Sequence, residues 1–379
     1  MVIFKNLNVD FLGKRKLFYY ISGALFLFGL LNIVFRGLEF GVDFLGGTEI
    51  VLQFQKQVNI SDVRNNVQSI GLKDAEVKTF GGETGVLIRT ELQEVPREIY
   101  PTVINQIEKT ITDNFPGLEK SVIDSTSNSV TYQFPNPDTT AKLVSILNDA
   151  GFEAAGVSVE PDNREVIVSI GIADWIEENL RAKMSDNPFE VLKEDKVGPK
   201  VGNELKQDAV IAVLLSLIVI LIYLAFRFKF VFGLGAVISL FHNVLITLGL
   251  FSILYNVIPG LNLEIDLTIV AAFLTLVGYS INDTVVIFDR IRENLKIHKT
   301  LPLFDVINKS VNQTMSRTVL TGGTTLLTLL VLTIFGGEVL RAFAFTLFFG
   351  IIIGTYSSIF IASALILDYT NRSKKKVQF

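Results

Sequence analysis

The chain has 379 residues, of which 49% are hydrophobic and 19% charged, with a formal net charge of -4. That balance points to a membrane protein with one sizeable polar portion, and the mild charge argues against a nucleic-acid partner. Cysteine is absent and histidine occurs only at 242 and 298, which excludes disulfides and thiol chemistry; no metal or cofactor is expected.

The first apolar stretch, Leu17–Phe35, follows Lys14-Arg15-Lys16. Its apolar core is too long for a signal peptide and no small-residue cleavage site follows, so it reads as a retained anchor. Next comes Gly41-Val42-Asp43-Phe44-Leu45-Gly46-Gly47-Thr48. Gly46-Gly47 suits a turn with positive φ, and no lysine follows at phosphate-loop spacing. The segment with Asp43, Gly46 and Gly47 is read as a structural hinge.

Residues 36–208 read as an α+β region built from two similar units, 36–127 and 128–208. In the first, Glu49–Gln55 is a strand, Ser61–Ile70 a helix, and Ala75–Phe80 with Gly85–Thr90 a hairpin; Tyr100–Phe115 is a helix and Leu118–Asp124 the last strand. In the second, Val130–Phe134 is a strand, Thr139–Ala150 a helix, and Phe152–Val159 with Glu165–Ile170 a hairpin turning at Pro161-Asp162-Asn163. Ala173–Lys183 is its second helix and Phe189–Lys193 its last strand. Each is β-α-β-β-α-β, the ferredoxin-like order, with alternation such as Ile50/Leu52/Phe54 marking half-buried strands. Helices are expected on one sheet face, with the other face left for a partner.

Five more stretches are long enough to span a bilayer: Ala209–Phe226, Phe230–Leu254, Leu267–Phe288, Thr318–Phe335 and Arg341–Leu367. Together with the first they give six transmembrane helices. Basic residues gather at the N-terminus (Lys5, Lys14, Arg15, Lys16), in the second and fourth loops, and in the tail (Arg372, Lys374, Lys375, Lys376). The loop Asn256–Asp266 has none. Both termini are therefore expected in the cytoplasm and residues 36–208 outside.

His242-Asn243 lies midway along the third span and reads either as a proton relay or as a neutral histidine satisfied by a neighbouring helix. The fourth span carries Gly278 to Asn294, GYSINDTVVIFDRIREN. Asp283 is its costly residue: an ionised carboxylate near the centre of a span costs roughly 2.5–3.5 kcal/mol. Ser280, Asp283, Thr284, Ile287 and Arg290 share one helical face, while Asn282 and Asp289 lie on a neighbouring stripe. Asp283 is read as a protonatable carboxylate on a polar path, against the alternative of a hydrogen-bonded structural anchor. Arg317, opening the fifth span, is read as a counter-charge to Asp283 or Asp289, or as an anchor at the interface. Thr321, Thr324 and Thr325 are candidates for bonds between helices. Gly350, Gly354, Ser358 and Ala362 recur every four residues and read as a packing stripe.

GVDFLGGT, GPKVGNEL, EIDLTIVAAFLTLVGYSINDTVVIFDRIREN and SRTVLTGGTTL together resemble the SecD/SecF family, on its SecF side. The resemblance covers all six spans and implies half of an RND-type transporter architecture. It implies a non-enzymatic auxiliary subunit in a bacterial cytoplasmic (inner) membrane. Its implied partners are SecD, the SecYEG channel with SecA and YidC/YajC, unfolded preprotein, and the bilayer. Proton motive force would drive late export, with the family's intramembrane carboxylate on Asp283 and its arginine on Arg317. Two departures are Asn243, where many relatives have aspartate, and an outer region about twice the usual size. The competing readings are half of a small-molecule proton antiporter of the RND type and a passive translocon scaffold.

Overall fold

The computed structural model describes residues 7–373 except Gln93, Ser127, Gly151, Val159, Pro161, Asn256, Pro259 and Gly260. Lys5, Lys374, Lys375, Lys376, Pro161 and Asn256, which entered the sequence reading, lie outside the described residues. The chain forms two compact units, one running from Val42 to Glu204 and the other made of the residues before and after it.

Among the described residues, six helices are long and apolar enough to cross a membrane: Leu12–Arg36, Pro199–Arg227, Phe230–Leu254, Leu267–Ile297, Leu303–Phe335 and Leu340–Arg372. They comprise α1 (Arg15–Arg36), α7 (Pro199–Arg227), α8 (Phe230–Leu254), α9 (Leu267–Ile297), α10 (Leu303–Phe335), α11 (Gly337–Ser357) and α12 (Ser363–Ser373). A turn of π-helix at Ser358–Ala362 joins the last two. The helical rods outrun the apolar stretches. α10 begins fifteen residues before Thr318, because its polar first half has partners: Asn294 of α9 donates to Ser310 at 2.8 Å, and Asn312 accepts from the Val9 backbone at 2.8 Å. Phe228 and Phe232, stacked on each other, both meet Phe288 of α9 edge-on in the core.

The other unit holds a short helix α2 (Val42–Leu45), then β1 (Gly47–Phe54), α3 (Ile60–Ser69), β2 (Glu76–Thr79), β3 (Gly85–Thr90), α4 (Tyr100–Asn114), β4 (Ser121–Ser125), β5 (Ser129–Gln133), α5 (Pro137–Asp149), β6 (Glu153–Gly156), β7 (Glu165–Ser169), α6 (Ile172–Lys183) and β8 (Phe189–Val197). These agree closely with the expected elements, but the expected grouping into 36–127 and 128–208 is corrected. The two antiparallel sheets run β2-β3-β1-β8 and β4-β5-β7-β6. The strand that closes each expected unit belongs to the other sheet. Both sheets still have the ferredoxin-like order, but the second module, α4 to β7, is inserted into the first between β3 and α6.

The reason is local. Only three residues separate β4 from β5, so the two pair as a hairpin, Ser125 opposite Val130. β8 instead lies along β1 from Gly47↔Val197 to Phe54↔Phe189, where the Phe54 and Phe189 rings sit 5.1 Å apart. Trp175 of α6 donates to the Ile70 carbonyl after α3, at 3.2 Å. Alternation tells which face of a strand is apolar, not whose edge it joins.

The expected free face is closed on the first sheet, where Val51 and Leu87 are fully buried in a cluster with Phe80. On the second sheet Val122, Ile123 and Ile167 remain exposed. Gly46 and Gly47 have φ of 78° and 112°. A Cβ on Gly47 would lie 2.3 Å from the Thr90 carbonyl oxygen, and one on Gly46 would lie 2.8 Å from Pro199 Cα. Only glycine fits that passage, beside the short helix that carries Asp43.

Candidate functional site

Asp283 sits on α9 and meets two hydroxyls from different helices. Thr318 Oγ1 of α10 donates to Oδ1 at 2.6 Å, and Ser358 Oγ of the π turn donates to Oδ2 at 2.9 Å. Two charge-assisted bonds compensate an ionised carboxylate for lost water. The carboxylate lines a narrow cleft with Tyr279, Asn282, Val286, Arg317, Thr318, Thr321, Gly322 and Thr355. The cavity measures about 10 Å³, near the lower limit for one water molecule. A proton acceptor, a cation and a water-sized space thus meet within a helical bundle.

Arg317 lines the same cleft as Asp283. Asp289, the other expected partner, is taken: Arg292 lies 2.7 Å and Arg227 3.6 Å from its Oδ1. Arg290 turns to Gln313 Oε1 at 2.7 Å and to Glu293.

A second polar chain runs beside the first. His242 Nδ1 lies 3.2 Å from Asn243 Oδ1, and Asn243 Nδ2 donates to Ser280 Oγ at 2.9 Å. Thr284 Oγ1 donates to the Ser280 carbonyl at 3.1 Å. Ser280 and Thr284 are buried and bind their own neighbours, not the carboxylate of Asp283. Among the described residues, His242 is linked to α9 by hydrogen bonds through Asn243, and its buried Nε2 finds no partner.

Gly350 and Gly354 let α11 approach α9: Cβ atoms there would lie 2.5 Å from Leu276 Cδ2 and 3.0 Å from Ser280 Oγ. Of the candidate threonines, Thr325 accepts from Tyr279 across the helices at 3.3 Å, while Thr324 bonds its own helix. Sequence reasoning missed the roles of Thr318 and Ser358. Thr318 marked the edge of a span and Ser358 stood in a packing stripe. The available signal was a hydroxyl in each at the membrane depth where a lone carboxylate needs donors.

Six helices of membrane-crossing length, a carboxylate held between three of them, and ferredoxin-like modules after the first span define the class: a polytopic helical membrane protein with an α+β insert. Residues 176–372 match the family described as protein export membrane protein SecD/SecF, C-terminal, and residues 32–58 match the SecD/SecF GG motif. A protein translocase subunit SecF from Rhodothermus marinus is 38% identical over 98% of this chain and 97% of its own length. Another SecF, from Koribacter versatilis, is 37% identical over 97% of this chain and 93% of its own. The crystal structure of SecDF from Thermus thermophilus, a translocon-associated membrane protein, aligns at a TM-score of 0.67 with 31% identity over 97% of this chain. A super-membrane-facing form of SecDF aligns at 0.56 with 31% identity over 99% of this chain. This chain spans only 39% and 40% of those two solved chains. The chain belongs to the SecD/SecF family, and its full-length relatives are SecF subunits.

Proposed function

We propose that this chain is an auxiliary subunit of the Sec protein translocase. It works with SecD to draw on the proton motive force and promote late export of preproteins through SecYEG. The observation that carries this reading is Asp283, held by Thr318 and Ser358 beside Arg317 in a cleft of water-molecule size. A proton arriving there removes a charge that three helices are arranged around. One charge crossing 100 mV supplies about 2.3 kcal/mol, enough to bias a packed bundle between two arrangements.

In this reading residues 36–208 face the exterior, where they hold the emerging chain against backsliding, and both termini face the cytoplasm. Asn243 leaves Asp283 as the proton-carrying carboxylate of this half, and SecD supplies the others. The protein acts without enzymatic chemistry of its own.

The test uses inverted membrane vesicles in which a preprotein is arrested part-way by crosslinking. An imposed proton gradient should speed its completion with the wild-type chain and not with Asp283→Asn, while the ATP-driven start proceeds equally in both. Equal gradient stimulation in the two would reduce Asp283 to a structural residue.

A further inference from the structure

This inference rests on the proposed titration of Asp283. A changing charge does work only if a packed element has two arrangements between which the charge selects. The π turn at Ser358–Ala362 is an irregular element in direct contact with the carboxylate. It winds one residue wider than the α-helix on either side, a geometry frequent at functional sites. No proline occurs between Gly354 and Ser363 to impose it.

Side-chain contacts hold it instead. Ser358 Oγ donates to Asp283 Oδ2 at 2.9 Å and lies at the same distance from the Thr355 carbonyl oxygen. The Ser358 carbonyl accepts from the backbone N–H of Ser363 and, at 2.8 Å, from its hydroxyl. On the other side of the turn, Phe360 stacks on Phe18 of α1 with ring centroids 3.7 Å apart. It also meets Phe11 and Tyr356 edge-on or tilted, at 6.1 and 5.4 Å. Tyr356 in turn donates to the Phe18 carbonyl at 2.9 Å. One turn therefore touches the carboxylate with its first residue and α1 with its third.

A hydroxyl hydrogen serves one acceptor at a time. While Asp283 is ionised it draws the Ser358 hydrogen. Once Asp283 carries a proton it needs one donor fewer, and the Ser358 hydroxyl is free to turn to Thr355, the local bond common for helical serines. We propose that Ser358 is a positioning residue that relays the charge state of Asp283 to α1. Loss of its bond to Oδ2 lets the π turn rewind, and Phe360 carries the change to Phe18 and Phe11.

Among the described residues, the charged and titratable groups lining the cleft with Asp283 are Arg317 from α10 and Tyr279 on α9 itself. His242 of α8 stands one link away through Asn243 and Ser280. The π turn and α11 contribute the hydroxyls of Ser358 and Thr355. At the α1–α12 contact, Arg15, Tyr19 and Asp368 form their own group, so a control at position 283 is required.

The absence of cysteine permits a clean measurement. Spin labels on cysteines replacing exposed Tyr20 of α1 and exposed Ile297 of α9 report their separation in the full chain in lipid nanodiscs, between pH 5 and pH 9. The expected result is a pH-dependent shift of about 1.5 Å or more, the rise of one helical residue. It is absent in Asp283→Asn, lost in Ser358→Ala and retained in Ser358→Thr. Phe360→Leu, which leaves the hydroxyl in place, should also lose it. A wild-type shift in Ser358→Ala or in Phe360→Leu overturns the relay while leaving the role of Asp283 intact. No shift in the wild type, or a shift that survives Asp283→Asn, overturns the titration and the relay with it.

Discussion

Gly29 and Gly249 meet backbone to backbone: a Cβ added to Gly249 would lie 2.7 Å from Gly29 Cα. This contact fixes how closely α1 lies against α8. A backbone atom cannot swing aside as a side-chain tip does, so Gly249→Ala must push the helices apart. The expected loss is about 1–3 kcal/mol, read as a lower melting temperature in detergent. Gly278→Ala, a helical glycine with nothing within 4 Å of the added carbon, should be neutral or slightly stabilising. Equal effects of the two would refute the close approach.

Thr318→Val keeps the side-chain volume but removes the 2.6 Å donor to Asp283. A bond to a charged group contributes about 1.5–3 kcal/mol. Gradient-stimulated export should therefore drop roughly tenfold or more, with the ATP-driven phase preserved. Thr318→Ser should restore most of the stimulation. A valine variant with wild-type stimulation would remove Thr318 from the site.

In the α+β unit, Glu49 and Arg89 stand directly opposite on β1 and β3. Arg89 Nε donates to Glu49 at 3.0 Å, and Lys193 Nζ is 3.5 Å away. Glu49 is only 5% exposed. Arg89→Met strands a buried charge that Lys193 only partly offsets, at an expected cost of about 3 kcal/mol. Adding Glu49→Leu should recover most of that loss. Denaturation followed through the single tryptophan, Trp175, gives both values; an additive double variant would contradict the coupling.

The same tryptophan reports a pH effect. Burial, reinforced by Glu194 and Glu153, raises the Asp174 carboxyl to about 6, and burial alone raises Glu178 to about 7. The folded chain thus binds protons that the unfolded chain releases near pH 4. This stability is fully present below about pH 4 and is lost as pH rises through 6 and 7. After allowance for partial exposure the pair contributes roughly 2 kcal/mol. The denaturation midpoint should fall between pH 4.5 and 8, and Asp174→Asn with Glu178→Gln should flatten the change. An unchanged slope in the double variant would mean that other groups set it.

The spans and the sites on them differ in how far the sequence discloses them. Six apolar runs declare themselves because the bilayer demands length and hydropathy together. Asp283 is equally visible, being expensive in that company. The polar half of α10 is not, since Asn312 and Ser310 become helix-compatible only through partners far away in the chain. Ser358 was hidden for a similar reason. A small residue every four positions has the same appearance whether it packs or donates, and no proline or glycine within Ser358–Ala362 signals the π turn from which Ser358 meets Asp283. The elements of the α+β unit were legible almost residue by residue, whereas their allotment between two sheets was not. Edge choice depends on hairpin proximity and on contacts such as Phe54 with Phe189, which no single strand encodes.

The nested arrangement of those sheets dictates an order of assembly. As the chain is synthesised, β1 to β3 appear first but cannot complete a sheet, because β8 comes last. Everything from α4 to β7 is contiguous and can settle by short-range closure, which costs less entropy and proceeds faster. The guest module therefore matures before its host. The host's strand β1 keeps an open edge until α6 and β8 arrive, and an open edge invites mispairing. Closure of Gly47 against Val197 is then the final step, taken as the chain turns into α7. Premature truncation between β7 and β8 would leave a sound inner module hanging from an unfinished one.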